Sequence, residues 1–229
     1  VTAASSAGNA SQSLKLVLFD CDGTLVDSAD IIHGCMVATF READLPEPTT
    51  EATKSIIGLT LDLAIATLLG RPRDAECARL AERYKEHFIA WRQLPSFHEP
   101  LYDGIAELIE ALSRRDDVII GMVTGKSRRG VQRVLETYGY EHHFLTIRTA
   151  DDCPSKPHPA MVLECCAETG IDPASTYVVG DAVYDMQMAR SAGARAIGVS
   201  WGYHHREGLF ATGAHAVLDT PAELLTLID

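Results

Sequence analysis

Asp20 and Asp22, one residue apart at the end of the apolar run at residues 15–19, are the first residues whose type and spacing suggest chemistry. Two carboxylates this close repel each other unless a cation or a shared proton relieves them. A strand needs no such pair for its stability. A short continuous apolar run bounded by turn residues has the pattern of a buried parallel strand, and open α/β sheets carry their sites at the carboxyl ends of such strands. The two acids therefore stand at a strand tip. A polar turn explains Asp22-Gly23 alone, but not the whole of residues 20–28.

Further groups fall where a shared site needs them. Thr124 follows the apolar run at 118–123 and precedes Gly125-Lys126-Ser127 at a helix start. Its hydroxyl and the next main-chain N–H groups could hold a phosphoryl oxygen. A strand-ending threonine followed by a serine cap explains the same letters, and on sequence physics that structural explanation is preferred. Lys156 lies in Ser155-Lys156-Pro157-His158-Pro159, where two prolines stiffen the backbone. There it can pair with an anionic nucleophile and a phosphate, although a solvated lysine is the ordinary outcome in a loop. Asp181 follows the apolar segment at 177–179, and Asp185 lies four residues on, one turn into the next helix. If that strand neighbours the first, Asp181 meets Asp20, and only a hard cation makes the contact favourable. Charge compensation at a helix start also accounts for Asp185.

The elements that must position these groups can be read from periodicity. Helical patterns cover residues 29–42, with Ser28 at the N-cap position, and then 50–57, 61–69 and 74–91. No strand is expected between 28 and 98, so the domains read as a leader at 1–13, a helical insertion at 28–98 and a core formed by 14–27 with 99–229. Hinges are expected near 27–28 and 95–100. In the core, helices are expected at 103–114, 127–138, 159–169 and from Val183 to a stop at Gly193, with a last one at 221–225. Strands are expected at 118–123, 144–148, 177–179, 196–199 and 216–218. Repeated strand–helix units imply right-handed crossovers and a mainly parallel sheet with helices on both faces.

Residues 20–28, Asp-Cys-Asp-Gly-Thr-Leu-Val-Asp-Ser, resemble the first motif of the haloacid dehalogenase superfamily in its phosphatase form. Thr124 resembles the second motif, Lys156 the third, and Gly180-Asp181 with Asp185 the fourth, all in the superfamily's order. The resemblance implies an α/β, Rossmann-like core with an inserted all-helical cap. It also implies Asp20 as a nucleophile that becomes an aspartyl-phosphate, and Asp22 as general acid and base. Mg²⁺ would be held by Asp20, Asp22 through its main-chain carbonyl, and Asp181, with support from Asp185; phosphate would be held by Thr124, Gly125 and Lys156. Ala182 departs from relatives that carry Ser or Thr there.

The likeness is closest to the phosphoglycolate phosphatase branch, including residues 198–203, so the first expectation is a small phosphorylated acid as substrate. A β-phosphoglucomutase-like activity is the alternative, weakened because Leu61 stands where such mutases often carry arginine after the Gly58-Leu59-Thr60 segment. A non-catalytic binding module is more remote, and a dehalogenase is disfavoured by the second acid at Asp22. The net charge of −12 argues against nucleic acid or an anionic membrane surface as partner. No apolar stretch approaches the ~18 residues of a membrane span. Six cysteines without CxxC spacing read as reduced thiols of a cytoplasmic protein, a monomer or a homodimer.

Overall fold

The computed structural model describes residues 14–95 and 97–229; the expected leader at 1–13 lies outside them. The chain opens with β1 (Lys15–Phe19) and continues through α1 (Ala29–Glu42), α2 (Thr50–Lys54), α3 (Leu61–Leu68) and α4 (Ala75–Trp91). There follow α5 (Ile105–Ser113), β2 (Val118–Val123), α6 (Arg128–Tyr138), β3 (Thr146–Arg148) and α7 (Ala160–Thr169). A short 3₁₀ turn, Pro173–Ser175, leads into β4 (Thr176–Gly180), α8 (Val183–Ala192), β5 (Arg195–Val199), α9 (Arg206–Ala211), β6 (Ala216–Leu218) and α10 (Glu223–Leu227).

The six strands form one parallel sheet in the order β3-β2-β1-β4-β5-β6. Chain order reverses at β1, so the carboxyl end of β1 lies at the crevice where doubly wound sheets bind their ligands. Both faces of β1 are covered. Val17 and Phe19 join Ile109, Leu112, Val131 and Leu135 on one side, while Leu16 and Leu18 join Met161, Cys165, Met186 and Ala189 on the other. This explains a strand apolar at four successive positions, 16–19, instead of at alternate ones. Each fully buried large side chain contributes roughly 1.5–3 kcal/mol, and this anchors the strand whose last residue precedes Asp20.

The helices α1–α4 share an apolar cluster of their own that includes Met36, Phe40, Ile65 and Tyr84. Both connections of this helical segment to the sheet run side by side. Asp27 N–H donates to the Pro100 carbonyl at 2.8 Å, Tyr102 N–H donates to the Leu25 carbonyl at 3.0 Å, and Val26 bridges Leu101 in antiparallel fashion. No strand lies between residues 28 and 98 among the described residues.

Several boundaries differ from the sequence expectations. The helix expected at 50–57 stops at Lys54 and turns into Gly58, whose φ is 100°. The strand expected at 144–148 begins only at Thr146, because Leu145 is turned to solvent. The helix expected from residue 103 begins at Ile105 because Gly104 takes a left-handed φ of 84°. Ser28 occupies the N-cap position of α1, but its hydroxyl does not cap the helix; it goes to Asp22. Helix α9 was not expected: it is six residues long, contains Gly208, and buries only Leu209.

Candidate active site

The sheet carries Asp20, Thr124 and Asp181 at its carboxyl edge, just beyond β1, β2 and β4. Ladder pairing continues past β1, since Asp20 N–H donates to the Val179 carbonyl at 2.9 Å. The Asp20 backbone is thus as fixed as the strand. One of its carboxylate oxygens, Oδ1, accepts from Cys21 N–H at 2.7 Å and pairs with Lys156 Nζ at 2.9 Å. The other, Oδ2, is buried and has no hydrogen-bond partner among the described residues.

Asp181 is held at both oxygens, by the Thr24 hydroxyl at 3.1 Å and by Tyr203 N–H at 2.9 Å. Gly23, with φ of 87°, permits this approach, because any side chain there would collide with the Asp181 carboxylate. Asp185 accepts from Ala182 N–H at 3.0 Å and pairs with Lys156 at 2.6 Å. Lys156 is therefore fully buried between Asp20 and Asp185, not solvated in its loop.

Asp20, Asp181 and Asp185 each offer an oxygen within 4.8 Å of the others. Burial pushes the Asp20 pKa up to about 7; Lys156 opposes this, and Asp185 and Asp22 add to it. Asp181 is also pushed well above the carboxylate range, by burial first and then by Asp185 and Asp20. Burial would lower the Lys156 pKa, but Asp185 and Asp20 more than reverse it. Three acids against one cation, with an unpartnered Asp20 oxygen, form a hard-oxygen donor set that fits Mg²⁺.

The Asp22 carboxylate faces away from this group. Its Oδ1 accepts from the Ser28 hydroxyl at 2.6 Å and from Lys126 Nζ at 2.7 Å. Lys126 also reaches Glu99 at 2.9 Å. Burial alone would depress the Lys126 pKa, yet Asp22 and Glu99 raise it well above its ordinary value. Thr124 is buried, and its hydroxyl accepts from Lys126 N–H at 3.2 Å. Gly125 abuts the Gly58 and Leu59 carbonyls so closely that a Cβ would strike them. Over these residues lies a cavity of about 580 Å³, walled on the far side by the helical segment.

A family model described as haloacid dehalogenase-like hydrolase matches residues 17–199. The chain belongs to the haloacid dehalogenase-like hydrolases. Among relatives in this family, an N-acetylmuramic acid 6-phosphate phosphatase from Pseudomonas aeruginosa is 31% identical, covering 94% of this chain and 95% of the relative. A phosphoglycolate phosphatase from Pasteurella multocida is 29% identical over 94% of this chain and 98% of its own. A hydrolase from Pseudomonas syringae superposes with a TM-score of 0.81 at 24% identity, covering 93% of this chain and 96% of that one. This haloacid dehalogenase-like hydrolase is a phosphoric monoester hydrolase on a Rossmann-like parallel sheet.

Every site residue expected from the sequence lies in the same crevice, in two groups. Asp20, Lys156, Asp181 and Asp185 form one; Asp22, Thr124 and Gly125 lie toward the cavity. Four participants were not foreseen: Ser28 and Glu99, which hold Asp22 and Lys126, Lys126 itself, and Thr24, which holds Asp181. Lys126 follows Thr124-Gly125 directly, but its partners are 104 and 27 positions away, so nothing local marks it as buried. Among the described residues no helix is long and apolar enough to cross a membrane, and all six cysteines are buried and free.

Proposed function

We propose that this hydrolase is a Mg²⁺-dependent phosphatase that cleaves a small phosphorylated acid by way of an aspartyl-phosphate on Asp20. The observation that carries this reading is the unequal surroundings of two neighbouring carboxylates. Asp20 has a buried oxygen without a partner, beside Lys156 and two further acids. Asp22 has both of its partners on Oδ1, and it lines the cavity where a leaving group would sit.

In the first step an Asp20 oxygen attacks phosphorus and the ester P–O bond breaks. The departing alkoxide takes a proton from Asp22. Asp22 then draws a proton from water, which attacks the phosphorus of the acyl phosphate, releases inorganic phosphate and leaves Asp20 as the carboxylate and Asp22 again as the acid. Thr124, the Gly125 N–H and Lys156 hold the remaining phosphoryl oxygens. Asp20, Asp181 and the Asp22 main-chain carbonyl, with Asp185 in support, would hold Mg²⁺, which would offset the charge between a dianionic phosphate and the nucleophile. Residues 28–98 act as a cap over a core of 14–27 and 99–229, and closure excludes water from the first step. Six free thiols suit a reducing cytoplasm.

The test uses single turnover of p-nitrophenyl phosphate with Mg²⁺. Wild type should show a burst of p-nitrophenol that disappears in chelator. Asp20→Asn should show no burst and no phosphoprotein. Asp22→Asn should keep the burst, since p-nitrophenolate leaves without a proton, and should then hold phosphate for longer, because general acid–base catalysis contributes about 10²–10⁴-fold. A burst in Asp20→Asn, or its loss in Asp22→Asn, would show that the two roles are wrongly assigned.

A further inference from the structure

The alcohol half of the ester can be narrowed further, on the assumption that the phosphatase reading holds. The cavity above Asp20 and Asp22 measures about 580 Å³, within the roughly 300–1,000 Å³ of pockets that enclose drug-sized ligands. A two-carbon acid would leave most of it to water. The far wall is mainly apolar, with Ile32, Met36, Ile57, Tyr84, Phe88 and Ile89, although Glu82 and Lys85 line it too. Such a wall contributes to binding only when a substrate covers it with apolar surface.

Cations are distributed unequally along this wall. Lys126, next to Asp22, is already matched by Asp22 at 2.7 Å and Glu99 at 2.9 Å. Beyond it the Phe88 ring centroid lies 5.7 Å from Lys126 Nζ and 5.1 Å from the Arg92 guanidinium carbon. Arg92 also lines the cavity, and its buried Nε has no hydrogen-bond partner among the described residues. Its pKa is lowered, by burial first, with Arg133 and Arg129 adding to the effect and Glu99 opposing it. A protein of net charge −12 thus places Arg92 and Arg129 in the lining of its cavity, with Arg133 close enough to act on Arg92. Among the described residues Arg92 has no carboxylate within ion-pair distance, and Glu99 acts on it only from farther off.

With phosphorus at Asp20 and the leaving oxygen at Asp22, the substrate body must pass Lys126 and Phe88 before it reaches Arg92. A phosphoglycolate carboxylate would stop near Lys126, whose charge is already met. We infer that the site takes the phosphate monoester of an alcohol with an apolar, ring-sized body that bears a carboxylate at its far end, received by Arg92.

Three esters given to the full chain with Mg²⁺ test this: para-carboxybenzyl phosphate, its uncharged carbamoyl analogue, and phosphoglycolate. The carboxybenzyl ester should exceed each of the others in kcat/KM by about tenfold or more, the value of one charge-assisted hydrogen bond. Arg92→Gln should bring the acid-to-amide ratio close to one, chiefly through KM, and Arg92→Lys should keep part of it. Phosphoglycolate at or above the carboxybenzyl ester, or an acid-to-amide ratio that Arg92→Gln leaves unchanged, would overturn the inference while the phosphatase reading stood. If p-nitrophenyl phosphate and all three esters stayed intact, the phosphatase reading itself would fall, and this inference with it.

Discussion

Lys156 is where the chemistry and stability of single residues meet. Its ammonium is the cation between two fully buried carboxylates, Asp20 and Asp185. Removing one member of a buried ion pair leaves uncompensated charge and costs about 3–5 kcal/mol. Lys156→Met should therefore lower the urea midpoint of the metal-free protein by a corresponding amount; an unchanged midpoint would mean that the pair contributes little. Residues such as Asp20 and Asp181 were legible in the sequence because an acid directly after an apolar strand is physically costly and so demands a reason. Lys156 was half legible, since its letters allow a solvated loop residue equally well. Glu99 and Ser28 were not legible as site residues, because what defines them is contact with Asp22 and Lys126 across the fold.

Among the elements, β2 was read to the residue, since an unbroken apolar run between polar turns admits few boundaries. Helix α9 escaped notice because a six-residue segment with one buried side chain leaves almost no periodic signal. The segment around Gly58 shows how two elements constrain each other. Its main-chain carbonyls press against Gly125, leaving no room for a methyl group. Gly125→Ala should therefore push the Gly58–Leu59 carbonyls away from the loop that holds residue 125. Overpacking of this kind typically costs about 1–3 kcal/mol. The expected result is a fall in turnover together with faster hydrogen exchange at Leu59 and Thr60. Unchanged exchange there would argue against tight seating of the helical segment on this loop.

For the molecule as a whole, the buried acids set an unusual dependence on pH. Asp20 titrates near 7 when folded, against an ordinary carboxylate value when unfolded. Between those two values the unfolded chain binds fewer protons than the folded one, so stability falls as pH rises. Asp181, raised in the same direction, adds to this. The Asp20 contribution to the metal-free protein should decline from about pH 4 to about pH 7, opposite in sign to the usual effect of paired carboxylates. Mg²⁺ bound by Asp20 would displace its proton, so calorimetry in buffers of different ionisation heat should detect proton release from Asp20 at about pH 6 and much less at about pH 8.5. Equal proton release at both would exclude Asp20 as a group that exchanges its proton for metal. The paired connections at Val26 and Leu101 carry a different consequence. Because the helical segment leaves and rejoins the sheet at one doorway, its ends are already together, and another segment could be grafted there at little cost in chain entropy. Substrate preference could then be exchanged like a tool head while the chemical step stayed in place. The graft has one condition: Ser28 and Glu99 stand at the doorway, so they must remain with the core for Asp22 and Lys126 to keep their partners.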